Sequence, residues 1–193
     1  MTSETRRSRY STLAIGLHWT IALIIIGNLV GGLTIDYFFD SPDPAMKAAG
    51  EVIIGLHKSL GLTVIVLTLA RLAWRIANPP PALPTHMTPL EVVLARGTHY
   101  LFYALMLLMP LSGWAMISTA KHPDGFKWFG LFEVPMLPLS KSLGGAFDIS
   151  HLWLGYLAIA TILLHVAGAV KHHYLDRDDV LARMLPLWRR KTG

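Results

Sequence analysis

An all-α membrane protein, built as a bundle of four transmembrane helices, follows from three features of this 193-residue sequence. The chain is 53% hydrophobic and only 15% charged, where a soluble domain carries about 25% charged residues. Its mean hydropathy is positive, at +0.46. Four windows are each apolar over the roughly 20 residues that a helix needs to cross a bilayer. Residues 1–193 accommodate one such transmembrane domain and no second soluble domain of useful size.

The first span covers residues 11–35, STLAIGLHWTIALIIIGNLVGGLTI. Its apolar core is too long for a removed signal peptide, and no small-residue cleavage site follows it. An acidic connector, 36–50, leads to the second span, 52–76. The segment NPPPALPTHMTP, 78–89, is too rich in proline to be helical and forms a short, stiff link. The third span covers 90–118. The longest connector follows, Thr119–Asp148, and carries KWFGLFEVP. Its Trp128, Phe129 and Phe132 suit a segment at the lipid–water boundary. The fourth span covers 149–174, and a polar, basic tail runs from Tyr174 along the surface.

Charge sets the orientation. Twelve Lys and Arg (Arg6, Arg7, Arg9, Arg71, Arg75, Arg96, Lys171, Arg177, Arg183, Arg189, Arg190 and Lys191) fall on the side of the two termini. Five fall on the other: Lys47, Lys58, Lys121, Lys127 and Lys141. The positive-inside rule therefore places both termini in the cytoplasm. The net charge of +5 has this membrane explanation and calls for no nucleic-acid partner; the partner implied is membrane lipid.

The chain has no cysteine, which excludes disulfides, thiolate nucleophiles, iron–sulfur clusters and c-type haem attachment. It has nine histidines. His151 and His165 are fourteen residues apart in the fourth span. At 100° and about 1.5 Å per residue, they face nearly the same way, about 21 Å apart in depth. Ionisable side chains inside a bilayer are costly, rare, and usually turned to the bundle interior with a partner. His18 lies in the cytoplasmic half of the first span and His57 in the outer half of the second. Depth thus sorts them into an inner pair, His18 with His165, and an outer pair, His57 with His151. Two such pairs are what two bis-histidine haems require, with each iron taking one axial nitrogen from each of two facing helices. Flat macrocycles need neighbours without bulk; Gly61 follows His57 by four, Gly155 follows His151 by four, and Gly16, Gly27 and Gly31 line the first span. The rival, a transition-metal transporter or proton relay, generally brings intramembrane carboxylates. No Asp or Glu lies mid-span here. His99, at the start of the third span, competes for the inner haem from a shallower depth.

The segments GLHW (16–19), GLHKSLG (55–61), RLAWR (71–75), HYLFYALMLLMPLSGW (99–114), the H-x3-GY-x8-H-x6-HHY pattern of 151–174 and RMLP (183–186) together resemble the bacterial cytochrome b561 family, the four-span di-haem b type. The resemblance implies two haem b held by His18, His57, His151 and His165. It also implies a multi-pass protein of the bacterial inner membrane, similar to a superoxide oxidase, which takes electrons from superoxide at the periplasmic face and passes them to ubiquinone. The alternative within the family is an electron-carrying cytochrome b subunit, or the partner of a periplasmic redox protein. The resemblance further implies a quinone site with His172 as proton donor; read as residues alone, His172 and His173 cap the C-terminus of the fourth helix. His86 and His122 fall in loops and are read as solvated. Thr119–Asp148 is the segment that matches least.

The outer side carries seven Asp and Glu against its five lysines, so its overall charge does not attract an anionic donor. A local funnel still can. Lys58 adjoins His57, and Lys121 and Lys127 flank the loop expected over the outer haem. The competing reading is that these lysines snorkel to the interface.

Overall fold

The computed structural model describes residues 9–121 and 125–185. The readings made of Arg6, Arg7, His122, Asp124, Pro186, Arg189, Arg190 and Lys191 lie outside these described residues. Four helices carry the fold: α1 Thr12–Phe39, α2 Pro44–Ala77, α3 Pro89–Thr119 and α4 Gly144–Tyr174. Each is long and apolar enough to cross a membrane. Between α3 and α4 lies an antiparallel hairpin, β1 Phe126–Trp128 and β2 Phe132–Val134.

The helix starts follow from their caps. Ser11 accepts from the Ala14 N–H at the head of α1. Thr88 and Glu91 form a reciprocal capping box at α3, with Pro89 in the first turn. At α2 the cap changes the sequence reading. Asp43 accepts from the Ala45 N–H and Pro44 opens the helix, so α2 starts at Pro44 rather than at 52. With α1 running on to Phe39, the acidic connector of 36–50 shrinks to 40–43. α4 likewise starts early, at Gly144, behind a 3₁₀ turn of Lys141–Leu143. At α2 the signal missed was local capping chemistry, which a hydropathy window averages away; α4 has no side-chain cap.

α1 packs along α2, α3 packs along α4, and α2 joins the two pairs through α3. α4 is not packed closely along α1 or α2. Ile21, Val64 and Met106, from three different helices, meet in the core. Large apolar side chains such as Leu23, Leu33, Val66 and Leu163 point outward and are more than half exposed. In lipid such residues cost nothing, because the surrounding tails are equally apolar.

The hairpin closes one end of the bundle. Gly130 has φ +76° and Phe129 has φ +47°, a left-handed conformation that is costly for a bulky residue. Ser59 of α2 compensates by accepting the Phe129 N–H at 3.0 Å. Trp128 donates its indole N–H to Thr63 Oγ1 at 3.1 Å. Trp128 is therefore held against α2, while Phe129 and Phe132 remain exposed as expected for the boundary. The opposite end is closed by the segment after α4. Trp19 donates to the Met184 carbonyl at 2.8 Å, Arg9 donates to the Leu185 carbonyl, and Arg183 donates to the Ala82 carbonyl at 2.7 Å. These bonds fold the described part of the tail back along the surface.

Candidate functional site

At the hairpin end, α2 and α4 bring His57 and His151 together, with ring centres 6.1 Å apart and planes 81° to each other. The neutral ring of His57 donates from Nδ1 to the Asn28 main-chain carbonyl at 3.1 Å, while the Asn28 amide donates back to the His57 carbonyl at 3.1 Å. His151 Nδ1 is 3.1 Å from the Met109 carbonyl and 3.0 Å from Ser112 Oγ. A proton fixed on Nδ1 leaves the Nε2 lone pair of each ring free, the arrangement that orients a histidine for metal ligation. Two glycines allow the rings their positions. A Cβ at Gly32 would come within 3.1 Å of the His57 ring, and one at Gly113 within 3.0 Å of the His151 ring. A cleft beside the pair is also lined by Gly61, Gly155, Lys58 and Phe126.

At the termini end, His18 of α1 and His165 of α4 stand with ring centres 6.2 Å apart. His99 of α3 is 5.5 Å from the same His165 ring, and Phe102 is 5.3 Å from it. Arg71 donates from its guanidinium to His18 Nδ1 at 2.9 Å, so the neutral ring carries its proton on Nε2. His99 Nδ1 is held by the Ala95 carbonyl at 2.6 Å. Two buried hydroxyls of this half, Thr68 Oγ1 and Tyr103 Oη, have no hydrogen-bond partner among the described residues.

These residues fit a haem. Two imidazoles that bind one metal from opposite sides, at about 2.0 Å per nitrogen, stand with ring centres a little over about 6 Å apart. His57 with His151 and His18 with His165 have that separation, and His99 with His165 is too close for it. Both pairs also reach across to α4 from the helices against which α4 does not pack. Among the glycines named from sequence, Gly16 and Gly27 have no protein atom near a Cβ position. The two that meet the imidazoles are Gly32 and Gly113, which sequence reasoning missed.

It also missed Asn28, Ser112 and Arg71. For Arg71 the signal existed: it follows His57 by fourteen residues, the same interval that separates His151 from His165.

His172 lies beyond the inner pair, at the end of α4. Its Nδ1 is 2.7 Å from Asp178 Oδ2 and 3.2 Å from Asp176 Oδ2. Burial alone would raise the Asp178 carboxyl, but bonds from the Val180 N–H and His172 outweigh it and hold the group below the usual carboxylate range. His86 is not simply solvated, since its Nε2 is 3.2 Å from Asp178. At the other end, Lys58 lines the cleft and stands 5.9 Å from the Phe126 ring centre. Lys127 does not join it. Strand alternation turns Phe126 inward and Lys127 outward, opposite Glu133.

Comparison with known proteins accords with this geometry. A profile of the family described as prokaryotic cytochrome b561 matches residues 9–187. The chain is 33% identical over 183 residues to cytochrome b561 homolog 2 of Escherichia coli (strain K12), covering 92% of this chain and 91% of that protein. It is 31% identical to cytochrome b562 of Cereibacter sphaeroides, over 94% and 98% of the two chains. It is 29% identical to the probable superoxide oxidase CybB of Yersinia pestis, over 92% and 96%.

Proposed function

Since the chain belongs to the prokaryotic cytochrome b561 family of haem-b membrane electron-transfer proteins, we propose that it carries electrons across the bacterial inner membrane from a periplasmic donor to ubiquinone. The observation that carries this reading is the pair of imidazole pairs, 6.1 Å and 6.2 Å between ring centres, fourteen residues apart along α4. His57 and His151 would hold one haem b, and His18 and His165 a second. Each haem, when bound, supplies reversible one-electron exchange at its iron.

The remaining work falls to the chain. With the termini cytoplasmic, the orientation the Lys and Arg count favours, the hairpin would cover the periplasmic end. The Asn28 and Met109 carbonyls fix the outer rings, and the docked hairpin limits access of water to the cleft. Lys58 places an ammonium at that cleft, where it favours a small anion such as superoxide. Lys127 would contribute only to the field outside. The probable superoxide oxidase among the relatives supports this donor. At the far end, quinone conversion to quinol consumes two electrons, hence two one-electron donors, and two protons. His172, two turns beyond His165 and held by Asp178, would deliver protons there.

The second reading, an electron-carrying partner of a periplasmic redox protein, draws on the hairpin tip. Phe129, Leu131 and Phe132 are 42%, 73% and 57% exposed, an apolar patch suited to a docking protein as well as to lipid. Mixing the haem-loaded protein with superoxide and ubiquinone separates the two. Quinol formed at two superoxide per quinone supports the first; haem reduced without quinol production favours the second.

A further inference from the structure

The surface turn after α4 gathers ligands that electron transfer does not use. His172 at the helix end converges with Asp176 and Asp178 in the following turn, and His86 from the proline-rich link reaches Asp178. His172, Asp176 and Asp178 offer donor atoms all within 4.8 Å of one another. Asp178 Oδ2 is 2.7 Å from His172 Nδ1 and 3.2 Å from His86 Nε2, and Asp176 Oδ2 is 3.2 Å from His172 Nδ1. A tetrahedral ion with bonds of about 2.0–2.1 Å has ligand–ligand edges of about 3.3 Å, so His172, Asp176 and Asp178 need little movement to hold one, and a turn of the His86 side chain on its exposed link would supply the fourth donor. The side chains of Asp178 and His172 are 8% and 12% exposed and that of His86 is 54% exposed, which gives a half-buried site open to solvent on one side.

The charge balance favours a cation. Lys171 pairs with Glu91 at 2.6 Å and Asp176 at 2.7 Å, while the side-chain partners of Asp178 among the described residues are the imidazoles of His86 and His172. Lys171 can keep Glu91 if Asp176 turns to a metal. Glu91 is itself fixed by the capping box of α3, so the link that carries His86 is anchored next to the end of α4. Imidazole with carboxylate is a donor set for borderline divalent ions rather than for calcium or magnesium.

We propose that His86, His172, Asp176 and Asp178 form a binding site for a divalent transition-metal ion of the zinc class, and that its occupancy shuts off quinone reduction. The second half rests on the placement of the quinone beside His172, because an imidazole that ligates a metal cannot also deliver protons.

The test uses untagged, haem-loaded protein in detergent and zinc ion as the probe. Calorimetry should show one zinc per chain, with affinity weakened at least about tenfold in His86→Ala and lost in Asp178→Asn. His86 is on an exposed link, so its variant keeps the fold even if Asp178→Asn does not. No saturable binding, or binding indifferent to His86→Ala, overturns the site. In the quinone assay, zinc should inhibit the parent protein at least about tenfold, and His86→Ala, measured against its own metal-free rate, should need correspondingly more zinc. Zinc that binds through these residues and leaves quinone reduction untouched upholds the metal site and overturns the quinone placement.

Discussion

The two histidine pairs share a helix, yet they are held by opposite means. In the outer pair each Nδ1 meets a main-chain carbonyl, of Asn28 or Met109, and a glycine on a facing helix admits each ring. In the inner pair His18 Nδ1 meets the Arg71 guanidinium, and a third imidazole, His99, crowds His165. The outer pair is set for ligation as it stands. The inner pair would bind metal through His18 Nε2 only once Arg71 releases Nδ1. A carbonyl acceptor raises the basicity of a ligand ring, whereas a fixed cation nearby favours an added electron. With a haem at each pair, as proposed, this difference would favour electron flow from the hairpin end to the termini end.

The largest effect expected is at the outer pair. His57→Ala or His151→Ala should remove one haem of two and reduce superoxide-driven quinone reduction to background, with the inner spectrum preserved. Retention of both haems in either variant would break the pairing.

Next comes the crowded inner pair. His18→Ala should lose the inner haem, and His99→Ala should keep it, because only the 6.2 Å separation admits an iron. The reverse result redraws the inner site around His99 and removes the contrast between the two pairs.

Close packing at the outer pair predicts a graded loss. Gly113→Ala puts a methyl 3.0 Å from the His151 ring, overpacking that costs about 1–3 kcal/mol. Haem retention under dilution should fall about tenfold or more at the outer site. Gly97→Ala, where no atom lies within 4 Å of the new methyl, should change nothing. Equal behaviour of the two variants would show that the outer rings are not tightly seated.

The smallest effect sharpens the electrostatic half of the comparison. Arg71→Gln should lower the inner midpoint potential by roughly 60 mV, one tenfold step for a one-electron couple, and leave the outer one in place. A shift of both potentials, or of neither, would detach Arg71 from the inner pair.

The sequence made the spans and the depths of the histidines readable because both depend on helix geometry alone. Fourteen residues make nearly four turns, so His151 and His165 must share a face whatever surrounds them. What stayed hidden depends on contacts between elements distant in the chain. Gly32 and Gly113 matter only because α2 and α4 aim rings at them. His86 and Asp178 are ninety-two residues apart and meet through the capping of α3. The hairpin of 126–134 was missed for a different reason: its strands are three residues each, and its turn places Phe129 in a conformation supported by the distant Ser59 contact.

The pairing of the histidines requires that the chain bind two haems, one at each pair. The haem-to-protein ratio of the purified, untagged chain, from the pyridine haemochrome spectrum against quantitative amino-acid analysis, tests that most directly. The account expects two haem b per chain; a ratio of one or less in fully loaded protein would contradict it.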